Sequence, residues 1–145
     1  MESRGIIFID SNYWIYLFDK TTLEHPYVKK HFENIFEENE LAVNVIVMVE
    51  VMHYLLKHLS APLARDKWEL FSSMDLIIGN LNYGMLNNIF SELNAHLHTG
   101  IGGRDATILA FLKSNDIHKI CTHDKSFRHI PYLEVIDPIP KQIKK

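Results

Sequence analysis

The feature that most constrains this chain is a set of short apolar runs that stop abruptly at polar residues. Gly5-Ile6-Ile7-Phe8-Ile9 is rich in β-branched residues, is entered from a glycine and ends at Asp10-Ser11-Asn12. It reads as a strand buried on both faces. Comparable runs cover residues 41–46, 75–78, 119–122 and 133–136, the last stopped by Asp137-Pro138. Between them lie stretches with helical patterns. Residues 13–18 are apolar and aromatic, and residues 27–39 place Val28, Phe32, Ile35 and Phe36 on one face. Residues 47–59 are apolar nearly all round, as in a buried helix. Residues 63–73, 83–97 and 105–114 read as further helices, and 99–103 as a glycine-rich loop. Unbroken apolar strands alternating with helices imply a parallel sheet covered on both faces. The expected fold is α/β: a three-layer α/β/α sandwich around a mostly parallel sheet of about five strands.

A length of 145 residues suits one domain, expected over residues 1–140, with a basic tail over 141–145. Cys121 is the only cysteine and lies in an apolar run, so it reads as packing. Its solitude fits a cytoplasmic location. The run at residues 6–9 is too short for a signal peptide. The longest apolar stretch, 41–56, is interrupted by Asn44, Glu50 and His53 and is not a membrane span. A net charge of -3 argues against non-specific coating of nucleic acid. It leaves open local binding of a polyanion, because bound cations can supply positive charge.

In parallel sheets, ligands bind beyond the carboxyl ends of the strands, where strand order reverses. Four acids stand in or near such positions. Asp10 follows the first strand, Glu50 belongs to the helix after the second, Asp105 opens the helix leading to the fourth, and Asp124 follows the fourth. Each has an ordinary alternative. Asp10 and Asp124 can be turn or cap residues, Asp105 can cap its helix, and Glu50 can lie on an exposed strip. Glu50 is the hardest to dismiss, since it sits in Val45-Ile46-Val47-Met48-Val49-Glu50-Val51-Met52 with no basic residue nearer than Lys57. A carboxylate there needs either a distant cation or a metal. Several acids at one sheet edge repel one another unless a cation sits among them. Hard divalent ions favour such oxygen donors, so the set points to Mg²⁺ or Mn²⁺.

These residues resemble the PIN-domain family of ribonucleases, in particular the small toxins of the VapC type. The resemblance rests on Ile9-Asp10-Ser11-Asn12, on Val49-Glu50-Val51, on Arg104-Asp105-Ala106 with its apolar helix, and on Cys121-Thr122-His123-Asp124-Lys125-Ser126-Phe127. It implies a parallel PIN-like sheet and hydrolysis of RNA with Mg²⁺ or Mn²⁺. It also implies frequent homodimers and, for toxins, an antitoxin protein. The family's metal-binding acids fall on Asp10, Glu50, Asp105 and Asp124, and its polar helpers on Asn12 and Thr122. A Ser or Thr that often precedes the glutamate helix is absent from residues 44–49. Arg104, Lys125 and Arg128 lie near the acids in sequence and are candidates for contact with RNA phosphates.

Other classes fit less well. A haloacid dehalogenase-type phosphatase needs a second Asp where Asn12 stands, and a response-regulator receiver needs its acceptor Asp at the end of the third strand, whereas Asp75 stands at its start. The nine histidines show no Cys-His or His-Glu-x-x-His pattern for zinc. Tyr13, Trp14, Tyr16 and Phe18 read as core rather than as a stacking surface for bases. The remaining rival is a PIN-like domain that acts in RNA processing or binds RNA or protein without cleaving.

Overall fold

The computed structural model describes residues 4–143. Five strands, β1 (Gly5–Ile9), β2 (Asn39–Asn44), β3 (Leu76–Gly79), β4 (Lys119–Cys121) and β5 (Glu134–Ile136), form one sheet in the order β3-β2-β1-β4-β5. Every neighbouring pair is parallel. Six helices flank it: α1 (Ser11–Phe18), α2 (His25–Glu38), α3 (Val45–His58), α4 (Ala61–Ser73), α5 (Leu86–Ala95) and α6 (Gly103–Ser114). Helices α1 to α4 pack in sequence, with α1 against α2 and α3, and α3 against α4, while α5 packs on α6. The chain adds strands outward from β1 to β3, then returns to the other side of β1 for β4 and β5. Right-handed crossovers in opposite directions put the two helix groups on opposite faces. The result is the three-layer α/β/α sandwich.

Strand β1 is central because its residues tolerate no water. Phe8 and Ile9 have no exposed surface, and Phe8 pairs with Ala42 on one side and Ile120 on the other. Trp14 of α1 anchors the layer above. Its indole N–H donates to the Ile9 carbonyl at 3.0 Å, and its ring lies 4.6 Å from Phe71 of α4 and 5.9 Å from Phe18. Cys121 is a buried free thiol, pushed up to about 12 by burial and the charge of Asp137.

Three details differ from the sequence pattern. Strand β2 gives way to α3 two residues early, because Asn44 Oδ1 accepts the Val47 N–H at 2.9 Å and caps the helix. Helix α3 is not buried all round: only Val47, Val51 and Leu55 are buried, while Val49 and Leu56 are 58% and 66% exposed. On α2, Val28 and Ile35 turn inward but Phe36 is exposed. The helix that is enclosed is α6, where Ala106, Ile108, Leu109, Ala110, Phe111 and Leu112 are all buried. In the tail, Ile143 packs on the core, and Lys144 and Lys145 lie outside the described residues.

Two contacts give measurable predictions. Phe111 lies edge-on to Phe8 at 5.9 Å and fills the space over Gly79, where an added Cβ would come within 2.6 Å of its ring. Gly79→Ala is expected to cost about 1–3 kcal/mol in urea denaturation. In a Phe111→Leu background the same change should cost less, a coupling that a double-mutant cycle would read.

Asp19, buried at the end of α1, accepts the Thr21 N–H at 3.0 Å, the Thr21 hydroxyl at 2.6 Å and the Tyr54 hydroxyl of α3 at 2.7 Å. Burial pushes its carboxyl up, but the Thr21 and Tyr54 hydrogen bonds outweigh this and hold it below its ordinary value of 3.8. The folded state then binds fewer protons at this group than the unfolded state. Its stabilising contribution is present above the ordinary value and is lost as pH falls through the folded one. Asp19→Asn should therefore be less stable than wild type at neutral pH, with the gap narrowing below pH 3.8 in thermal melts across pH.

Candidate functional site

Strand order reverses between β1 and β4, and the candidate site lies at that seam. Asp10 leaves β1 with no exposed surface, its backbone N–H donating to the Cys121 carbonyl at 3.0 Å. Its Oδ1 accepts the Ser11 N–H at 2.7 Å and so opens α1. Its Oδ2 accepts the Thr122 hydroxyl at 2.7 Å from the end of β4. Thr122 Oγ1 in turn accepts the Asp124 N–H at 3.0 Å and the Asn12 amide at 3.2 Å. Asn12 closes the link through its Oδ1, which accepts the His123 N–H at 3.1 Å. Asp10, Asn12, Thr122 and Asp124 are thus one hydrogen-bonded joint between two strand ends.

Arg104, in the first turn of α6, gathers three acids. Its Nε donates to Glu50 at 2.9 Å, its Nη1 to Asp105 at 2.9 Å and Asp10 Oδ2 at 3.4 Å, and its Nη2 to Ser11 Oγ at 2.8 Å and Asp10 Oδ1. Glu50 is 39% exposed at its side chain, Asp105 10% and Asp10 0%. Glu50 therefore finds its compensation in a distant cation and keeps partial access to water. Burial works against the Arg104 charge, but Asp10 and Glu50 outweigh it and raise its pKa. The Asp105 carboxyl is pushed up by burial; Arg104 opposes the rise and the charge of Asp124 adds to it.

Asp124 stands slightly apart. Its Oδ1 accepts the Ser126 N–H at 2.9 Å and caps the turn Lys125–His129, the ordinary role open to it from sequence. The three basic residues divide. Arg104 faces the acids, and its five N–H donors all have protein acceptors, so in this arrangement none is free for a phosphate. Lys125 is exposed, and Arg128 reaches Asp137 at 3.3 Å. Among the described residues, no three Asp, Glu, His or Cys side chains converge closely enough to hold a metal ion as they stand. The donor chemistry nonetheless suits a hard cation, since every group is a carboxylate, amide or hydroxyl oxygen.

Sequence reasoning missed Asp137, which follows β5 and accepts His123 Nδ1 at 2.8 Å, Arg128 at 3.3 Å and the Ile139 N–H at 3.0 Å. The strand-end rule that found Asp10 and Asp124 applies to it equally. It also missed Ser11 as a partner of Arg104 and Asn44 as the cap that sets the start of Glu50's helix. Two apolar hollows, of about 600 and 640 Å³, lie away from the acids, one lined by residues of α1, α2 and α4 and the other by α3 and α4.

Thr122→Val removes the hydroxyl that Asp10, Asn12 and Asp124 share, and leaves two donors without an acceptor. It should cost about 1–3 kcal/mol in chemical denaturation, more than a Thr→Val change at an exposed position such as Thr99.

The comparisons with known proteins come to the same fold. No curated protein sequence matches the chain. Among solved structures it is similar to the VapC20 toxin of Mycobacterium tuberculosis, described as cleaving the sarcin–ricin loop, with 17% identity, a TM-score of 0.73 and coverage of 84% of this chain and 92% of that one. It is similar to VapBC2 of Rickettsia felis bound to a promoter DNA fragment, with 19% identity, a TM-score of 0.72 and coverage of 91% and 98%. A toxin–antitoxin complex from Klebsiella pneumoniae gives 21% identity, a TM-score of 0.69 and coverage of 91% and 97%. The family model for the PIN domain matches residues 7–132. That match spans most of the sequence, and the chain belongs to the PIN domain family.

Proposed function

We propose that the protein is a metal-dependent endoribonuclease that hydrolyses RNA phosphodiester bonds, and that it is the toxin of a toxin–antitoxin pair. The observation that carries the reading is the clustering of Asp10, Glu50 and Asp105 at the strand-reversal edge with Arg104 as their shared cation. Three carboxylates against one guanidinium leave two formal negative charges beside a shared edge of oxygen donors. A divalent ion, Mg²⁺ or Mn²⁺, supplies when bound the Lewis acidity that activates water and offsets charge on the phosphoryl group. Asp10 and Asp124 are assigned as its direct ligands, with Glu50 and Asp105 binding it directly or through water, or orienting the nucleophile. Thr122 and Asn12 hold Asp10 and Asp124 in register. Lys125 and Arg128 are assigned to the backbone of the RNA. The resemblance to VapC and VapBC structures supports the toxin assignment and an antitoxin partner. Exposed Val49 and Leu56 on α3 support a homodimer. No helix among the described residues is long and apolar enough to cross a membrane, and we place the protein in the cytoplasm.

A second reading, a PIN-like domain that serves RNA processing or binds RNA or protein without cleaving, draws on Arg104, whose charge already occupies the acids. Turnover separates the two. Purified protein with Mn²⁺ or Mg²⁺ should cleave RNA, and EDTA should stop it. Asp10→Asn preserves the helix cap but removes the charge, and should lower the rate at least about 100-fold. Full activity of that variant, in a preparation free of contaminating nuclease, would falsify the mechanism. Metal binding without turnover by the wild type would favour the second reading.

A further inference from the structure

Three carboxylates from different parts of the chain converge on one side chain that is not a metal. Asp10 comes from the end of β1, Glu50 from α3 and Asp105 from α6, and each is within hydrogen-bonding distance of Arg104. The guanidinium engages both oxygens of Asp10, one of the two residues assigned above as direct metal ligands. The Arg104 side chain remains 28% exposed, so the guanidinium keeps contact with solvent. Arg104 lies in the first turn of α6, which opens at Gly103.

The competition is electrostatic. A monovalent, planar cation spreads its charge over three nitrogens, whereas a divalent ion concentrates twice the charge at one point. Both draw on the same oxygens of Asp10, and two cations cannot sit side by side on one carboxylate without repulsion.

We propose that Arg104 is an exchangeable counter-ion: it holds Asp10, Glu50 and Asp105 together in the metal-free protein and leaves them when a divalent ion binds. This rests on the metal-dependent reading of the site and adds to it a residue that sets the metal affinity. In the metal-free state Arg104 keeps three repelling carboxylates in place, with Ser11 Oγ as its neutral fourth acceptor at 2.8 Å. The metal affinity of the wild type is then the intrinsic affinity of the oxygen set, reduced by the work of displacing the guanidinium.

Calorimetry with Mn²⁺ alone, without RNA, tests the exchange. Arg104→Gln should bind Mn²⁺ at least about tenfold more tightly than wild type, a difference of about 1.4 kcal/mol. Arg104→Lys keeps the charge but cannot bridge three carboxylates, and should fall between the two. It carries the test if the glutamine variant does not fold. In wild type, Mg²⁺ titration followed by ¹⁵N spectra should move the Arg104 Nε–H signal toward that of a solvated guanidinium, saturating with the metal. An Arg104 signal unmoved at saturating Mg²⁺, or Mn²⁺ affinity unchanged in both variants, overturns the exchange and leaves the metal reading intact. Absence of any Mn²⁺ binding by the wild type overturns the metal reading itself, and the exchange with it.

Discussion

Asp10 is a carboxylate with no exposed surface at the seam between two central strands, and much of the local structure is arranged to make that tolerable. An ionised carboxylate buried without partners costs roughly several kcal/mol. Here the cost is offset from every side. The Ser11 amide begins a helix on it, the Thr122 hydroxyl crosses from β4, and Arg104 arrives from α6. Each compensating group is itself fixed by the fold. Thr122 stands at the seam because β4 pairs with β1 rather than with β3, and Arg104 reaches it because α6 covers the face that the return crossover builds. The topology and the charge problem therefore imply each other. A sheet of different strand order would leave Asp10 without its threonine.

Most of this architecture was legible in the sequence. Unbroken β-branched runs separated by helical patterns are hard to reconcile with anything but a covered parallel sheet, and all five strands and the helices between them lie close to the expected places. What the pattern could not place was the start of α3. Val45 and Ile46 prefer extended backbone, so locally they extend the preceding strand. Asn44 decides otherwise by capping the Val47 amide, a single hydrogen bond set against two residue preferences. Packing then supports the helix, because Val47, Val51 and Leu55 fall on one buried stripe.

The same helix shows where hydrophobic pattern loses its meaning. The largely apolar run of α3 implies burial nearly all round, yet Val49 and Leu56 face out. Apolar character marks what a surface would gain by being covered, and a single chain shows only the cover that it supplies itself. The enclosed helix, α6, instead carries an arginine and an aspartate in its first turn. These are tolerated at the end of a buried helix because the helix begins at the sheet edge, where the polar groups meet other polar groups.

At the strand-reversal edge, the acids were legible in the sequence and their pairing was not. Composition around Glu50 indicated that a cation was required, and left open whether it would be an ion or a side chain. The partner lies 54 residues away at Arg104, a separation that no local pattern spans. That choice matters beyond bookkeeping of charge. A guanidinium among carboxylates satisfies the fold in the absence of metal, so the acids need not wait for an ion to be held in place. On the proposed metal-dependent reading, the three carboxylates that pair with Arg104 would also be the groups that draw a divalent ion, and Arg104 would set how strongly the first role opposes the second.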